Sequence, residues 1–244
     1  LGKDSSTSAY AIEIQQLAKS FGSHRALKGI DLNITRGECL AVFGPNGAGK
    51  TTLIKLLATL SRPSKGKIFL TGLDITKEAI KIRHQIGVVS HQTFLYDNLT
   101  AYENLKFYGK MYDVPNLEQR ILEVIDQVEL RNRLHDRVGI FSRGMQQRLS
   151  IARAILHDPQ IMLLDEPETG LDQTATVMLS DLLKTFTSGS RTVLMTTHNL
   201  KLGLELSDRL VILHKGKIAH EDSTKNMELA NLQDSYNRYT GATS

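Results

Sequence analysis

The sequence predicts an α/β fold: a mainly parallel sheet, an antiparallel β part near the N-terminus, and an inserted α-helical subdomain. Three observations carry this. Short apolar runs such as Cys39-Leu40-Ala41-Val42-Phe43, Ile161-Met162-Leu163-Leu164 and Leu210-Val211-Ile212-Leu213 alternate with stretches of helical periodicity. Strands apolar on both faces belong in a parallel sheet covered by helices on both sides. Two early segments, Ile12 to Leu17 and Ile30 to Ile34, instead alternate apolar and polar residues, as half-buried antiparallel strands do. Finally, between Leu99 and Leu156 helical patterns succeed one another with no good strand between them.

Taken in order, residues 1–9 read as a disordered leader, because Leu1 to Ser8 lacks an apolar signal core. The two alternating strands come next, and Thr35-Arg36-Gly37-Glu38 turns the chain into the Cys39–Phe43 strand. Thr52 to Ala58 has helical spacing, and Arg62-Pro63-Ser64-Lys65-Gly66 breaks that helix. Lys67 to Leu70 and Ile86 to Val89 are short strands. Leu99 to Met111, Leu117 to Leu130 and Ser142 to Leu156 are the helices of the insertion, set at 92–158 and of small-subdomain size. Strands Ile161 to Leu164, Thr192 to Met195 and Leu210 to Leu213 then alternate with helices Gln173 to Phe186 and Leu200 to Leu206. His214-Lys215-Gly216-Lys217-Ile218 ends the pattern like a hairpin. One domain over 10–222 and a polar, helical tail over 223–244 complete the reading.

The 244 residues are ample for a buried core. Thirty Lys and Arg against 26 Asp and Glu give a net charge of +4, too small an excess to argue for a nucleic-acid partner. No run of about 18 apolar residues is present, so no transmembrane helix is expected. The single cysteine, Cys39, lies in a buried strand and fits a reducing compartment.

Gly44-Pro45-Asn46-Gly47-Ala48-Gly49-Lys50-Thr51-Thr52 matches the phosphate-loop pattern G-x-x-x-x-G-K-[ST] at every fixed position. It lies between an apolar strand and a helix start, the context that separates it from a chance glycine-rich turn. Glycines let backbone N–H groups turn onto phosphate oxygens, and the helix N-terminus adds its positive end. Lys50 can bridge the β- and γ-phosphates, and Thr51 can offer its hydroxyl to Mg²⁺. The chain is therefore expected to bind a nucleoside triphosphate. No internal repeat is visible, so one such unit is expected.

Asp165 and Glu166 end the strand Ile161 to Leu164, where open α/β sheets bind ligands. Successive strand residues point to opposite sides, so the two carboxylates divide the work. Asp165 suits the Mg²⁺ shell, and Glu166 suits polarisation of an attacking water.

Together these elements resemble the ATP-binding-cassette (ABC) ATPases. Phe141-Ser142-Arg143-Gly144-Met145-Gln146-Gln147-Arg148 is similar to that family's signature, usually L-S-G-G-Q-x-x-R. Glu166-Pro167-Glu168-Thr169-Gly170-Leu171-Asp172 resembles its junction between acidic strand and dimer loop, and Thr196-Thr197-His198 its switch histidine. Gln92 resembles the glutamine of the lid loop, and Phe21 stands where the family stacks an aromatic on adenine. The fold implied is the P-loop ATPase core of an ABC nucleotide-binding domain, with ATP and Mg²⁺ as its ligands.

The resemblance implies a role for each matching residue. His198 contacts the γ-phosphate, Gln92 ligates Mg²⁺ or water, and Ser142 and Gly144 close over the ATP of a second subunit in a head-to-tail homodimer. Unaided by the resemblance, His198 reads as a satisfied histidine, Gln92 as a loop amide, Phe21 as a core staple and Ser142 as a helix cap. Arg143 and Met145 depart from the signature consensus.

The implied activity is Mg²⁺-dependent ATP hydrolysis powering an exporter, at the cytoplasmic face of a membrane, with separate transmembrane permease subunits docking near Gln92 to Glu103. The signature variant resembles exporter ATPase subunits, the haem-exporter subunit of cytochrome c maturation among them. The alternative is a cassette ATPase that remodels DNA or ribosomes. Such proteins usually carry two cassettes, a long coiled-coil insertion or basic arms, and none is visible here.

Overall fold

The computed structural model describes residues 9–188 and 191–241. Most of the leader expected at the N-terminus, and the last three residues of the tail, lie outside the described residues.

Two long strands come first, β1 (Tyr10–Phe21) and β2 (His24–Thr35), paired antiparallel with Ile12 opposite Ile34. Both exceed their alternating segments. Register shifts between Ile14 and Leu17 and between Lys19 and Ser20 interrupt the period of two, so the pattern stops before the strand does. Next come β3 (Cys39–Phe43), the glycine loop, α1 (Lys50–Leu57) and β4 (Lys65–Leu70). Two elements then appear that no periodicity announced, β5 (Leu73–Asp74) and α2 (Ala79–Arg83). Both are too short to show a period. Asp74 turns the chain between them, accepting from the Thr76 amide at 2.8 Å and its hydroxyl at 2.6 Å.

β6 (Ile86–Val89) leads to the helical region: α3 (Ala101–Met111), α4 (Leu117–Gln127) and α5 (Arg143–Ile155). α3 starts two residues later than its apolar pattern because Thr100 caps it. The Thr100 hydroxyl accepts from the Glu103 amide at 3.1 Å, and the Glu103 carboxylate accepts from the Thr100 amide at 2.8 Å. The remainder is β7 (Ile161–Asp165), α6 (Gln173–Ser188), β8 (Thr192–Thr196), α7 (Leu200–Leu206), β9 (Arg209–His214), β10 (Lys217–Ser223) and α8 (Leu229–Thr240). Lys215 and Gly216, with φ of 49° and 80°, make the tight β9–β10 turn. In the tail, α8 packs back by burying Leu232 and by Tyr239, which stacks on His220 with centroids 4.6 Å apart.

The strands form two sheets. The antiparallel one runs β2-β1-β4-β5, and the larger runs β10-β9-β3-β8-β7-β6 with only β10 antiparallel. The near-continuous apolar strands of the larger sheet have a direct cause. Ala41, Phe43, Met162, Leu164, Val193 and Met195 face one hydrophobic cluster, with the helical region and α6; Leu40, Val42, Ile161, Leu163 and Leu194 face another, with α1 and the antiparallel sheet. Cys39 is buried in the first cluster, and that burial pushes its thiol up to about 12.

Parallel pairing of β3 with β8 and of β8 with β7 sets the C-terminal ends of these strands side by side, Val42 opposite Thr196 and Thr196 opposite Asp165. The glycine loop, the acidic pair and Thr197-His198 thereby emerge along one edge of the sheet.

Candidate functional site

The glycine loop has the conformation its composition predicts. Gly44, Gly47 and Gly49 take φ of 151°, 78° and 112°. At Gly44 a second constraint acts: a Cβ would stand 2.2 Å from the Leu213 carbonyl oxygen on neighbouring β9. We expect Gly44→Ala to cost about 1–3 kcal/mol in overpacking and a similar amount in backbone strain, read as a lowered midpoint in urea unfolding. The first turn of α1 receives no side-chain cap, and its residues Lys50, Thr51 and Thr52 line the cleft with the loop. The cleft has a volume of about 300 Å³.

Lys50, the first residue of α1, is buried and folds back over the loop, donating to the Gly44 carbonyl at 2.7 Å. Burial holds its ammonium below the usual lysine value, opposed by the nearby Glu166 and Asp165 carboxylates. Thr51 and Thr52 line the cleft beside it, as do Asn46, Gly47, Ala48 and Gly49. Phe21 lies on the rim, 54 % exposed, which rules out the core-staple reading. The Lys19 ammonium stands 4.8 Å from its ring centroid.

Three chain segments meet at Glu166. Its Oε1 lies 2.6 Å from His198 Nε2 and 3.8 Å from Lys50 Nζ, and its Oε2 lies 3.1 Å from His91 Nε2. Lys50 Nζ also lies 3.3 Å from His198 Nε2 and can donate to that nitrogen when it carries no proton, so Lys50, Glu166 and His198 form one polar cluster. Glu166 itself has φ of 51°, a left-handed turn held by its amide donating to the Thr196 carbonyl at 3.0 Å. Asp165 is buried at the end of β7 and accepts from the Thr196 hydroxyl at 2.7 Å.

Thus Lys50, Glu166 and His198 come together, with Asp165 one residue behind. Gln92 does not join them. Its side chain is exposed, its carbonyl accepts from the Ser90 hydroxyl at 2.8 Å, and its neighbour His91 faces Glu166 instead. No sequence pattern singles out His91; only the path of the loop after β6 does.

Ser142 and Gly144 lie apart from the cleft at the start of α5. Ser142 caps the helix, accepting from the Met145 amide at 3.2 Å, and Arg143 packs on Gly170 in the loop after β7. Gln147 ties the same loop to α5 by donating to the Pro167 carbonyl at 3.0 Å. Ser142 and Arg143 are exposed, and the signature start does not line the cleft of the phosphate loop.

Among the described residues no cluster of three or more His, Cys, Asp or Glu could cage a metal. A cation held by the exposed Thr51 hydroxyl and one carboxylate, with phosphate and water as further ligands, matches the oxygen preference of Mg²⁺ and its usual economy of protein ligands. The donors present fit that ion.

Comparison with known proteins shows the family. A family model described as ABC transporter matches residues 27–169, and a model of an AAA domain overlaps residues 137–205. The chain is 34 % identical over 206 residues to the ABC transporter ATP-binding protein NatA of Bacillus subtilis (strain 168), covering 83 % of this chain and 84 % of NatA. It is 33 % identical over 220 residues to the daunorubicin resistance ATP-binding protein DrrA3 of Streptomyces coeruleorubidus, covering 89 % and 70 % of the two chains. It is 33 % identical over 208 residues to a Nod factor export ATP-binding protein I of Cupriavidus pinatubonensis (strain JMP 134 / LMG 1197), covering 84 % and 64 %. Among solved structures, the dimeric ATP-binding cassette MJ0796 bound to ADP and Pi superposes with a TM-score of 0.82 at 28 % identity, covering 88 % of this chain and 100 % of that one.

Proposed function

Because the chain belongs to the ABC transporter ATP-binding family, an ATP-hydrolysing family, we propose that it hydrolyses MgATP as one half of a head-to-tail homodimer and powers an exporter. The observation that carries this reading is the convergence of Lys50, Glu166 and His198 at the foot of the glycine loop.

Loop amides and the first turn of α1 hold the phosphates, and Lys50 supplies the charge-assisted contact to them. Phe21 offers an exposed face on the cleft rim for the adenine ring. Thr51 and Asp165 hold Mg²⁺, which when bound neutralises charge on the phosphates. Glu166 accepts the proton of the attacking water. Two imidazoles flank that carboxylate, His198 at 2.6 Å and His91 at 3.1 Å. His198, held beside Glu166, can offer a ring N–H to an incoming γ-phosphate. Gln92, on an exposed loop between β6 and the helical region, would add an oxygen ligand to Mg²⁺ or to water.

The exposed signature start supplies the second half of the site. Ser142 and Gly144 of one subunit close over the nucleotide of the other, as the two-fold arrangement requires. In this reading separate membrane-spanning subunits carry the substrate; among the described residues no helix is long and apolar enough to cross a membrane. They dock on the cytoplasmic side near Gln92 to Glu103, where Tyr96 is 48 % exposed. The names of DrrA3 and the Nod factor protein point to export rather than to remodelling of DNA or ribosomes. The signature variant also supports haem-related export; a neighbouring gene for a cytochrome c maturation membrane subunit would select that substrate, and one for a drug-resistance permease would reject it.

Ser142→Arg tests the sandwich. It removes a cap, at about 1 kcal/mol of helix stability, yet leaves the phosphate loop untouched. We expect ATP affinity of the monomer to change little while ATP-driven dimerisation and phosphate release are lost. Nucleotide titration and sedimentation are measured on the same sample. Equal loss of monomer affinity would place Ser142 in its own chain's site and defeat the two-subunit arrangement.

A further inference from the structure

We propose that Glu168 is a positioning residue for hydrolysis, fixing the backbone on both sides of His198 through the Thr197 hydroxyl and so holding the imidazole against Glu166. The inference rests on the ATPase reading above. Glu168 follows Glu166 by two residues in the loop after β7. Its Oε1 accepts from the hydroxyl of Thr197, the fully buried residue that precedes His198. That hydroxyl has one hydrogen to donate, and it donates it to Glu168. Its oxygen in turn accepts from the Asn199 amide at 2.9 Å. Asn199 then caps α7, accepting from the Leu202 amide at 3.0 Å. The residues before and after His198 are thus joined to each other and to Glu168, and the imidazole projects from between two fixed points.

Glu168 is an expensive choice for a loop staple. Its Oε2 is sealed from solvent with no hydrogen-bond partner. Burial pushes the carboxyl up, and the nearby Glu166 adds to this, while the Thr197 hydrogen bond opposes it. Buried polar atoms normally find partners, and one left over calls for a reason other than packing. The reason is placement. Glu166 and His198 leave different strands, β7 and β8, and meet at 2.6 Å only if their two loops keep a fixed offset. Glu168 to Thr197 is a side-chain bond that spans the two loops just behind that contact, in addition to the Glu166 amide's bond to the Thr196 hydroxyl. The loop it anchors is itself held from α5, through Gln147 at the Pro167 carbonyl.

The test compares Glu168→Ala, Glu168→Gln and Thr197→Val with wild type in the full chain. It reads kcat and KM for ATP, thermal unfolding, and the ¹⁵N imidazole signals of His198. Loss of the tie lets the imidazole drift, and a displacement near 1 Å can cost about a hundredfold in rate. We expect Glu168→Ala and Thr197→Val each to lower kcat by about tenfold to a hundredfold, with KM changed less than about threefold. Glu168→Gln keeps an oxygen that accepts from Thr197, so it should recover most of the lost kcat and the wild-type imidazole signal. A folded Glu168→Ala with normal kcat and an unchanged imidazole signal overturns the inference. So does a Glu168→Gln as impaired as Glu168→Ala, which would make the charge itself the active feature. If Glu168→Ala does not fold, Thr197→Val and Glu168→Gln decide. The imidazole signal separates the two readings. Wild type that releases no phosphate defeats the ATPase reading, while an altered signal in Glu168→Ala or Thr197→Val still upholds the positioning.

Discussion

Glu166→Gln should lower ATP turnover by about 10²–10⁴-fold, the usual worth of a general base, while MgATP still binds. The substitution keeps size and removes the proton acceptor. The structure adds a second effect. Glu166 has an imidazole beside each oxygen, His198 at Oε1 and His91 at Oε2, and the Lys50 ammonium 3.8 Å from Oε1. A glutamine is uncharged and offers one oxygen and one NH₂ group in place of two carboxylate oxygens. The variant therefore weakens the contacts around this position even before nucleotide arrives. Lys50, Thr51 and Asp165 are untouched, so binding persists and the ATP-bound dimer accumulates. Gel filtration with ATP and Mg²⁺, beside a phosphate-release assay, reads both. Asp165→Asn should differ by weakening the Mg²⁺ dependence itself. Near-normal hydrolysis by Glu166→Gln would remove the general-base role from that residue and leave His198, or a route assisted by the substrate, to activate the water.

Lys50→Ala should abolish turnover and weaken ATP binding by about 10- to 150-fold, corresponding to a charged hydrogen bond of about 1.5–3 kcal/mol. The fold should survive. Lys50 is buried below its ordinary pKa, so its ammonium already bears a desolvation cost that alanine removes. Against that, the Gly44 carbonyl loses its 2.7 Å donor. The two terms oppose each other, and thermal unfolding should move little. Isothermal titration with ATP and a phosphate-release assay check the prediction. Wild-type turnover in this variant would refute the assignment of the loop.

These two residues were legible in the sequence for different reasons. Lys50 belongs to a motif of consecutive residues, so its chemistry and its backbone setting are written together. Glu166 was legible because two carboxylates ended a strand apolar on both faces. The central strands of the larger sheet, β3, β7 and β8, were readable because each is covered on both sides. The exceptions follow from length and irregularity. β5 and α2 are shorter than the period that would reveal them, and β1 and β2 continue past the register shifts that end their alternation. Phe21 could be read as core or as rim, since an aromatic serves either. Its 54 % exposure chose the rim.

What the sequence by itself determined was local: an α/β chain with an inserted helical region, a glycine loop able to hold phosphates, and acidic and histidine residues at strand ends. What only the tertiary structure decided was adjacency. His198 lies 148 residues from Lys50, and they meet because β8 pairs with β3 on one side and β7 on the other. His91 rather than Gln92 faces Glu166 because a loop without a regular period can direct either side chain inward. Glu168 gained a role because its loop passes over Thr197. Periodicity and motifs record the environment of each residue along the chain. They hold no record of strand order, which is fixed only when the two faces of the sheet are buried together.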